Sequence, residues 1–529
     1  MAMMNYRVWG RFLLLCAWLL PVLWWAPARA TGILYVKPGA MGDCGDWDNA
    51  CGLQTALVSA FPGDEIWAAG GTYKPTGGTE RAATFQLGYG VSLYGGFLGT
   101  ETNRDQRDWV AYPTILSGDI GNVGDSADNS YHVVTGNGTD EATVLDGFTI
   151  TGGNTTGSSG FDDFGGGMYN NGGSPTVRNV TFRDNTASWG GGMGNLYSTP
   201  VLVNVTFSGN TAATGAGMGN LESSPVLRMV AFQDNVATEG GGGMNVYGGN
   251  PALREVTFSS NRAAQGGGMH SMYSNPTLVN VAFWGNAAIS GGGMFNFESD
   301  PLLANVTFSG NTASSVGGGM CNDGLVLPSH VLGTSGHKDA SVGAVGKPGR
   351  GSSPSLVSVT FSGNAAGEEG GALFNRQSNP ALDNCVLWDN SAPLGAQISN
   401  DDGTPTIRYS LVQGSGGSGG GWDASLGRDD GGNLDDNPEF VDVSGADGIP
   451  GTPDDDLRLG VHSPAVDVGD KDALPVDELD LDDDGDRAEP LPLDLDRKQR
   501  VMSGIVDMGA YETPARFLYY VPLFVEDRW

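Results

Sequence analysis

The chain has 529 residues, a formal net charge of −33, and glycine at 86 positions. No Gly-X-Y period accompanies that glycine, which excludes a collagen triple helix. The acidic balance, with no basic patch, excludes a nucleic-acid partner, whose phosphates call for clustered Lys and Arg. In a folded chain, glycine this dense points to many tight turns and close backbone approaches.

Residues 1–30 read as an export signal. Arg7 and Arg11 open it, residues 12–25 are apolar, and Ala28-Arg29-Ala30 supplies a small-x-small site, with cleavage after Ala30. The apolar run is short for a bilayer span, and no later segment is long and apolar enough to cross one after the signal is removed. The expected location is therefore secreted or cell-surface. In that oxidising setting Cys44 and Cys51, which share a Gly/Asp-rich loop, are expected to close a short disulfide. Cys321 and Cys385 occupy different repeat positions and are not expected to pair.

Residues 31–160 are expected to form an N-terminal cap and early coils. Strands are predicted at Ile33-Leu34-Tyr35-Val36, near Ile66-Trp67, from 91 to 97 and from 114 to 119, and a short helix over 53–60 is expected to close the end of the core.

Residues 161–413 carry an internal repeat. Prolines recur at Pro175, Pro200, Pro225, Pro251, Pro276, Pro301, Pro354, Pro380 and Pro405, a period of 25 or 26 apart from one step of 53. Seven residues after the prolines stand Phe182, Phe207, Phe232, Phe258, Phe283, Phe308 and Phe361; ten after stand Asn185, Asn210, Asn235, Asn261, Asn286, Asn311, Asn364 and Asn390. Glycines lead into Met168, Met193, Met218, Met244, Met269, Met294 and Met320. The apolar runs are short, rich in Val, Thr and Phe, and bounded by Gly, Asn and Pro, which is strand chemistry. Stacking each unit on the next at ~4.8 Å places Phe on Phe and makes a side-chain amide ladder of the asparagines. The fold class is all-β, a right-handed parallel β-helix solenoid with coils of about 25 residues, since parallel crossovers take that hand. A β-propeller is disfavoured because its blades run to ~40 residues or more. The 53-residue step reads as one coil plus an insertion at 324–352, whose His330, His337, Lys338 and Lys347 could wall a groove. A Gly/Ser-rich linker is expected at 414–432, then a small acidic C-terminal module at 433–512 and a tail at 513–529.

The Gly-Gly-Gly-Met, Asn-Val-Thr-Phe and Ser-Gly-Asn-Thr-Ala motifs resemble bacterial secreted right-handed β-helix repeat proteins, including the repeats of chlamydial polymorphic outer-membrane proteins. Val91-Ser92-Leu93-Tyr94-Gly95-Gly96-Phe97 with Ile115-Leu116-Ser117-Gly118-Asp119 is similar to the N-terminal region of the same class. The segment from Asn437-Pro438-Glu439-Phe440 to Met508-Gly509-Ala510-Tyr511-Glu512 resembles the choice-of-anchor Q domain, found just upstream of surface-sorting signals. These resemblances imply a β-helix on a secreted or surface protein. Because lyases, hydrolases and adhesins share the coil, they imply no single activity.

Candidate chemistry is sparse. Glu222 and Glu298 share a repeat position but lie three coils apart, about 14 Å, too far for paired carboxylate catalysis. Asp184, Asp234 and Asp389 read as turn residues, and His270 stands alone. Tyr169, Tyr197, Tyr247 and Tyr273, with Phe295 and Phe297, follow the Gly-Met turns and are candidates for stacking on a glycan. Asp480, Asp482, Asp484 and Asp486 are the candidate metal ligands: Asp480-Leu481-Asp482-Asp483-Asp484-Gly485 matches the opening of a calcium loop, although its twelfth position is Leu491 rather than Glu. Asp494 and Asp496 are further candidates for that Ca²⁺ site, and Asp454 to Asp456 form a vaguer acidic cluster. The expected function is a non-catalytic surface protein, adhesive or carbohydrate-contacting, with a polysaccharide or cell-surface glycan as partner. The alternative is an extracellular polysaccharide lyase or glycoside hydrolase on a pectate-lyase-like helix. The sequence leaves the oligomeric state open.

Overall fold

The computed structural model describes residues 31–157, 163–324 and 351–513. The expected export signal, the tail from 514 and residues 325–350 of the insertion, with its histidines and lysines, lie outside the described residues. The fold is the expected all-β parallel solenoid, of about 13 turns with coils of about 26 residues. By the strand spacing, that makes a rod of ~60 Å.

The regular coils contribute strands to three faces, the third being interrupted at Arg262 and Gln265, which make only single bridges. The long face is built from eight-residue strands, Thr176–Arg183, Val201–Ser208, Val226–Gln233, Ala252–Ser259, Thr277–Trp284, Leu302–Ser309 and Ser355–Ser362, each paired in parallel with its neighbour. The second face carries Met168–Asn171 and its equivalents as far as Ile398–Asp401, and the third holds short strands such as Thr186–Trp189 and Thr211–Thr214. In the long strands a residue with positive φ, such as Asn179 or Asn204, bends the backbone between two inward-pointing positions. Asparagine tolerates that conformation better than most residues, and it occupies five of these corners: 179, 204, 280, 305 and 384.

The core is the predicted stack. The rings from Phe182 to Phe361 lie 4.5–4.9 Å apart and within 7° of parallel, and all seven are fully buried. Each contributes ~1.5–3 kcal/mol of burial that a single coil could not supply alone. The asparagine ladder is also as predicted. Asn286, for example, donates from Nδ2 to Asn311 Oδ1 and to the Phe258 carbonyl, while its own Oδ1 accepts from the Asn261 side chain and backbone. A second ladder inside the second face, Asn170–Asn195–Asn220 and Asn296–Asn322–Asn375–Asn400, was not read from the sequence. Its signal was available two residues after five of the seven Gly-Met turns, at 170, 195, 220, 296 and 322, with Val246 and Ser271 interrupting it.

The ends follow expectation in part. Helix Leu53–Ser59 packs Leu53 and Ala56 into the core, and Cys44 is bonded to Cys51. Cys321 and Cys385 are free and buried. Leu302–Ser309 pairs directly with Ser355–Ser362 across the 53-residue step, so one coil there carries an insertion. The segment at 414–432 is not a linker: Arg428–Asp429 pairs with Thr406–Arg408, and Asn433 caps the Ser410 backbone, so it completes a last coil.

The acidic module does not stand apart from the rod. It has one antiparallel strand pair, Phe440–Asp442 with Asp456–Leu459, and packs along the outer surface of the long face. Leu481 and Leu491 bury against Val279 and Ala304, Tyr511 and Leu457 against Trp284 and Ala282, and Leu474 and Val506 against Val357. This explains why Thr277–Trp284, Leu302–Ser309 and Ser355–Ser362 are buried on both faces, whereas Val201–Ser208 alternates. Arg500, fully buried, donates to Ser358 Oγ and to the carbonyls of Asp507 and Gly509, and lies 3.5 Å from Glu512. Burial pushes the carboxyls of Asp494, Asp507 and Glu512 upward, Glu512 to about 8, against the pull of that guanidinium.

Candidate functional site

The four candidate tyrosines do not form one platform. Tyr169 is buried, stacked on His132 and packed by Phe164, so it is a core residue and unavailable to a glycan. Tyr197 is the most exposed at 64%, but three coils separate it from Tyr273. Tyr247 and Tyr273 meet edge to face, and Tyr273 meets Phe297 likewise, which turns these rings toward one another. Phe295 is buried in a satellite cluster with Phe374 and Cys321.

The repeat carboxylates are structural. Asp184, Asp234, Asp389, Glu222 and Glu298 all sit at corners of positive φ. His270 is buried in the second face, Nδ1 against the Asn245 amide, and burial drives its pKa down to about 4.

The acidic loop is partly as expected. Carboxylate oxygens of Asp480, Asp482 and Asp484 lie within 4.8 Å of one another. Asp486 is not among them; it caps the Ala488 backbone. Asp494 caps Lys498 and Glu512 backbone groups, and Asp496 pairs with Lys498. Asp454 to Asp456 are occupied with Thr452, Ser309 and Arg458. Two residues missed in the sequence, Asp477 and Glu489, form a second group with Asp482 inside the same 4.8 Å limit. They come together because Val476 and Pro490 bridge antiparallel and the Asp477 amide donates to the Glu489 carbonyl, closing a hairpin around the loop. Burial pushes the Asp477 carboxyl upward, and the charges of Asp482 and Asp480 add to the shift.

A further site was not foreseen. The corner asparagines form a row on the outside of the long face. Where the module lies, its backbone occupies that row: Asn280 donates to the Asp494 carbonyl, Asn305 to the Leu493 carbonyl, and Asn384 exchanges two hydrogen bonds with the Asp470 backbone. Toward the N-terminus the same row lines an open cleft of about 260 Å³. Thr181, Asn179, Asn204 and Thr206 form its floor and Trp109 and Val110 its wall. Gly96 makes the wall possible, since a Cβ there would come within 2.6 Å of the Trp109 backbone. A chain of contacts runs through the floor. Arg107 stacks on Trp109 and pairs with Asp146 at 2.8 Å; Asn179 donates to Asp146, and Asn204 donates to Asn179. The row then reaches Met229, which has no amide to continue it. The sequence signal was asparagine four residues after the repeat prolines, at 179, 204, 280 and 305. Nothing in the sequence placed Trp109 beside them.

No family model matches the chain, and no curated protein does either. Among solved structures it is similar to a pectate lyase, Pel9A, at 12% identity and a TM-score of 0.44, covering 92% of this chain and 97% of that one. It is also similar to a PL6 family alginate lyase, AlyGC, at 12% identity and a TM-score of 0.32, covering 82% and 60%. A third likeness is the catalytic unit of an alpha-1,3-glucanase from Streptomyces thermodiastaticus, at 12% identity and a TM-score of 0.25, covering 75% and 68%. At this level of likeness no activity passes to the chain.

Proposed function

We propose that this chain is a non-catalytic, exported β-solenoid that contacts a glycan through the cleft between Trp109 and Asn204. The carrying observation is the split use of one asparagine row, engaged by the module's backbone at Asn280 and Asn305 and open at Asn179 and Asn204. The cleft offers an indole partly open to solvent, two amides and threonine hydroxyls, the groups that stack on and hydrogen-bond to a sugar ring. Asp146, the carboxylate beside this floor, is paired to Arg107 and buried, which suits it to holding the floor together rather than to proton transfer. The signal-like pattern of residues 1–30, and the resemblance in sequence motifs of the repeats and of residues 437–512 to secreted and surface proteins, support the reading of display at or release from a cell surface.

A glycan array probed with the full chain tests this reading. Trp109→Ala and Asn204→Ala should each lower binding about tenfold or more, and Tyr197→Ala should leave it unchanged. Reducing-sugar or unsaturated-product release from a bound polysaccharide would favour the lyase or hydrolase alternative.

A further inference from the structure

We propose that Asp477, Asp482 and Glu489 form a divalent-cation site, fitted to calcium, that fastens the acidic module to the rod. A crowd of exposed acids would not carry this, but Asp477 is not exposed. It is 1% accessible, its Oδ2 accepts from the Leu481 amide at 2.6 Å, and its Oδ1 is buried with no hydrogen-bond partner. Glu489 Oε1 is likewise buried and unpartnered. A carboxylate oxygen left without a donor in the interior costs free energy that a bound cation removes. Both residues reach Asp482 within 4.8 Å, and Asp482 in turn joins Asp480 and Asp484, so five carboxylates converge on one hairpin end.

The nearby cation does not fill this role. Arg254 directs both prongs of its guanidinium at Asp483, and bonds the carbonyls of Leu479 and Asp480. An all-oxygen ligand set without His or Cys suits a hard cation. A set mixing buried and exposed carboxylates suits the flexible, high-coordination geometry of calcium better than the strict octahedron of magnesium. The hairpin is seated on the solenoid by Leu481 and Leu491, so an ion closing its loop stabilises the docked arrangement. This site is independent of the glycan cleft.

The test uses the full chain, stripped with a chelator and titrated with calcium chloride by calorimetry, with melting curves in parallel. The expected result is saturable binding and a higher melting temperature at millimolar calcium, with magnesium at least tenfold weaker. Asp477→Asn and Glu489→Gln should each weaken binding at least tenfold, and Asp486→Asn, outside the cluster, should not. Circular dichroism identifies any variant that fails to fold, and the other substitution then decides. No saturable heat at millimolar calcium, or folded Asp477→Asn or Glu489→Gln proteins with unchanged affinity, would overturn the proposal.

Discussion

Arg254 and Asp483 stand 229 residues apart in sequence and meet in a two-pronged ion pair, both contacts at 2.9 Å. Arg254 belongs to the solenoid wall and is almost wholly buried; Asp483 belongs to the acidic loop and is half exposed. The pairing holds Asp483 well below the usual carboxylate range. The rod and the module are thus one packed unit, and the rod's outer surface is specialised coil by coil for what covers it.

Arg254→Ala should destabilise the full chain by ~1–3 kcal/mol, because it removes charge-assisted hydrogen bonds to Asp483 and to two loop carbonyls; the exposure of Asp483 argues for the lower half of that range. Arg228 also pairs with Asp483, but both partners are more than a third exposed, so Arg228→Ala should cost ~0–1 kcal/mol and less in high salt. Chemical denaturation of the two variants side by side distinguishes them. Equal losses would mean that Arg254 does not anchor the loop.

The stacked core makes a second comparison. Phe258→Ala should cost ~3–5 kcal/mol, as for buried aromatic truncations. Asn286→Ala should cost a comparable amount, since it removes the side-chain bonds to the Phe258 carbonyl and from the Asn261 backbone amide, groups worth ~1–3 kcal/mol each when buried without a partner, while Asn311 Oδ1 keeps the backbone amide of residue 286 and the Asn261 side chain keeps the Phe232 carbonyl. A melting curve for Asn286→Ala within a degree or two of the parent would show that water replaces the ladder.

The repeat made the core legible, because residues on the inside of a solenoid answer only to the coils above and below them. Proline phase alone placed Phe258 on Phe283 and Asn261 on Asn286. Outward positions carry no such constraint. Val279, Ala304 and Val357 look like ordinary strand residues, yet they are buried by a segment more than a hundred residues away, and no local pattern announces that. The same gap hid the cleft, where Trp109 comes from an early loop and Asn204 from the regular repeat. The acidic loop was half legible. Its D-x-D-x-D-G spacing drew Asp480, Asp482 and Asp484 together on paper, but Glu489 joins them through a hairpin closure, a contact that spacing along a loop does not encode.

Deletion of residues 325–350, with Gly324 joined to Gly351, should leave the melting transition within a few degrees of the parent. The two flanks already touch, since a Cβ on Gly324 would stand 2.6 Å from Gly351 Cα, and the strands on either side keep the register of a single coil. Loss of the cooperative transition in this deletion would mean that the inserted residues help to hold the wall.

Stability should fall between pH 7 and pH 5 in a way that depends on His270. Its ring lies in the interior of the second face, Nδ1 at 3.1 Å from the Asn245 amide, Nε2 buried without a partner, and Phe295 edge-on at 5.3 Å. Nothing there compensates a positive charge, so burial lowers the pKa from 6.5 to about 4. The group is depressed in the folded state, so between those values the unfolded chain binds a proton that the folded chain refuses. The stability is whole above the unfolded pKa and is lost as pH falls through the window toward 4, amounting to about 2 kcal/mol at pH 5. His270→Asn, which repeats the residue of the preceding coil, removes this titration. Many carboxylates titrate in the same range, so the informative quantity is the difference between the two proteins: the parent should lose more melting temperature than His270→Asn on going from pH 7 to pH 5. Parallel losses would place the proton elsewhere and show that His270 can be charged in the folded state.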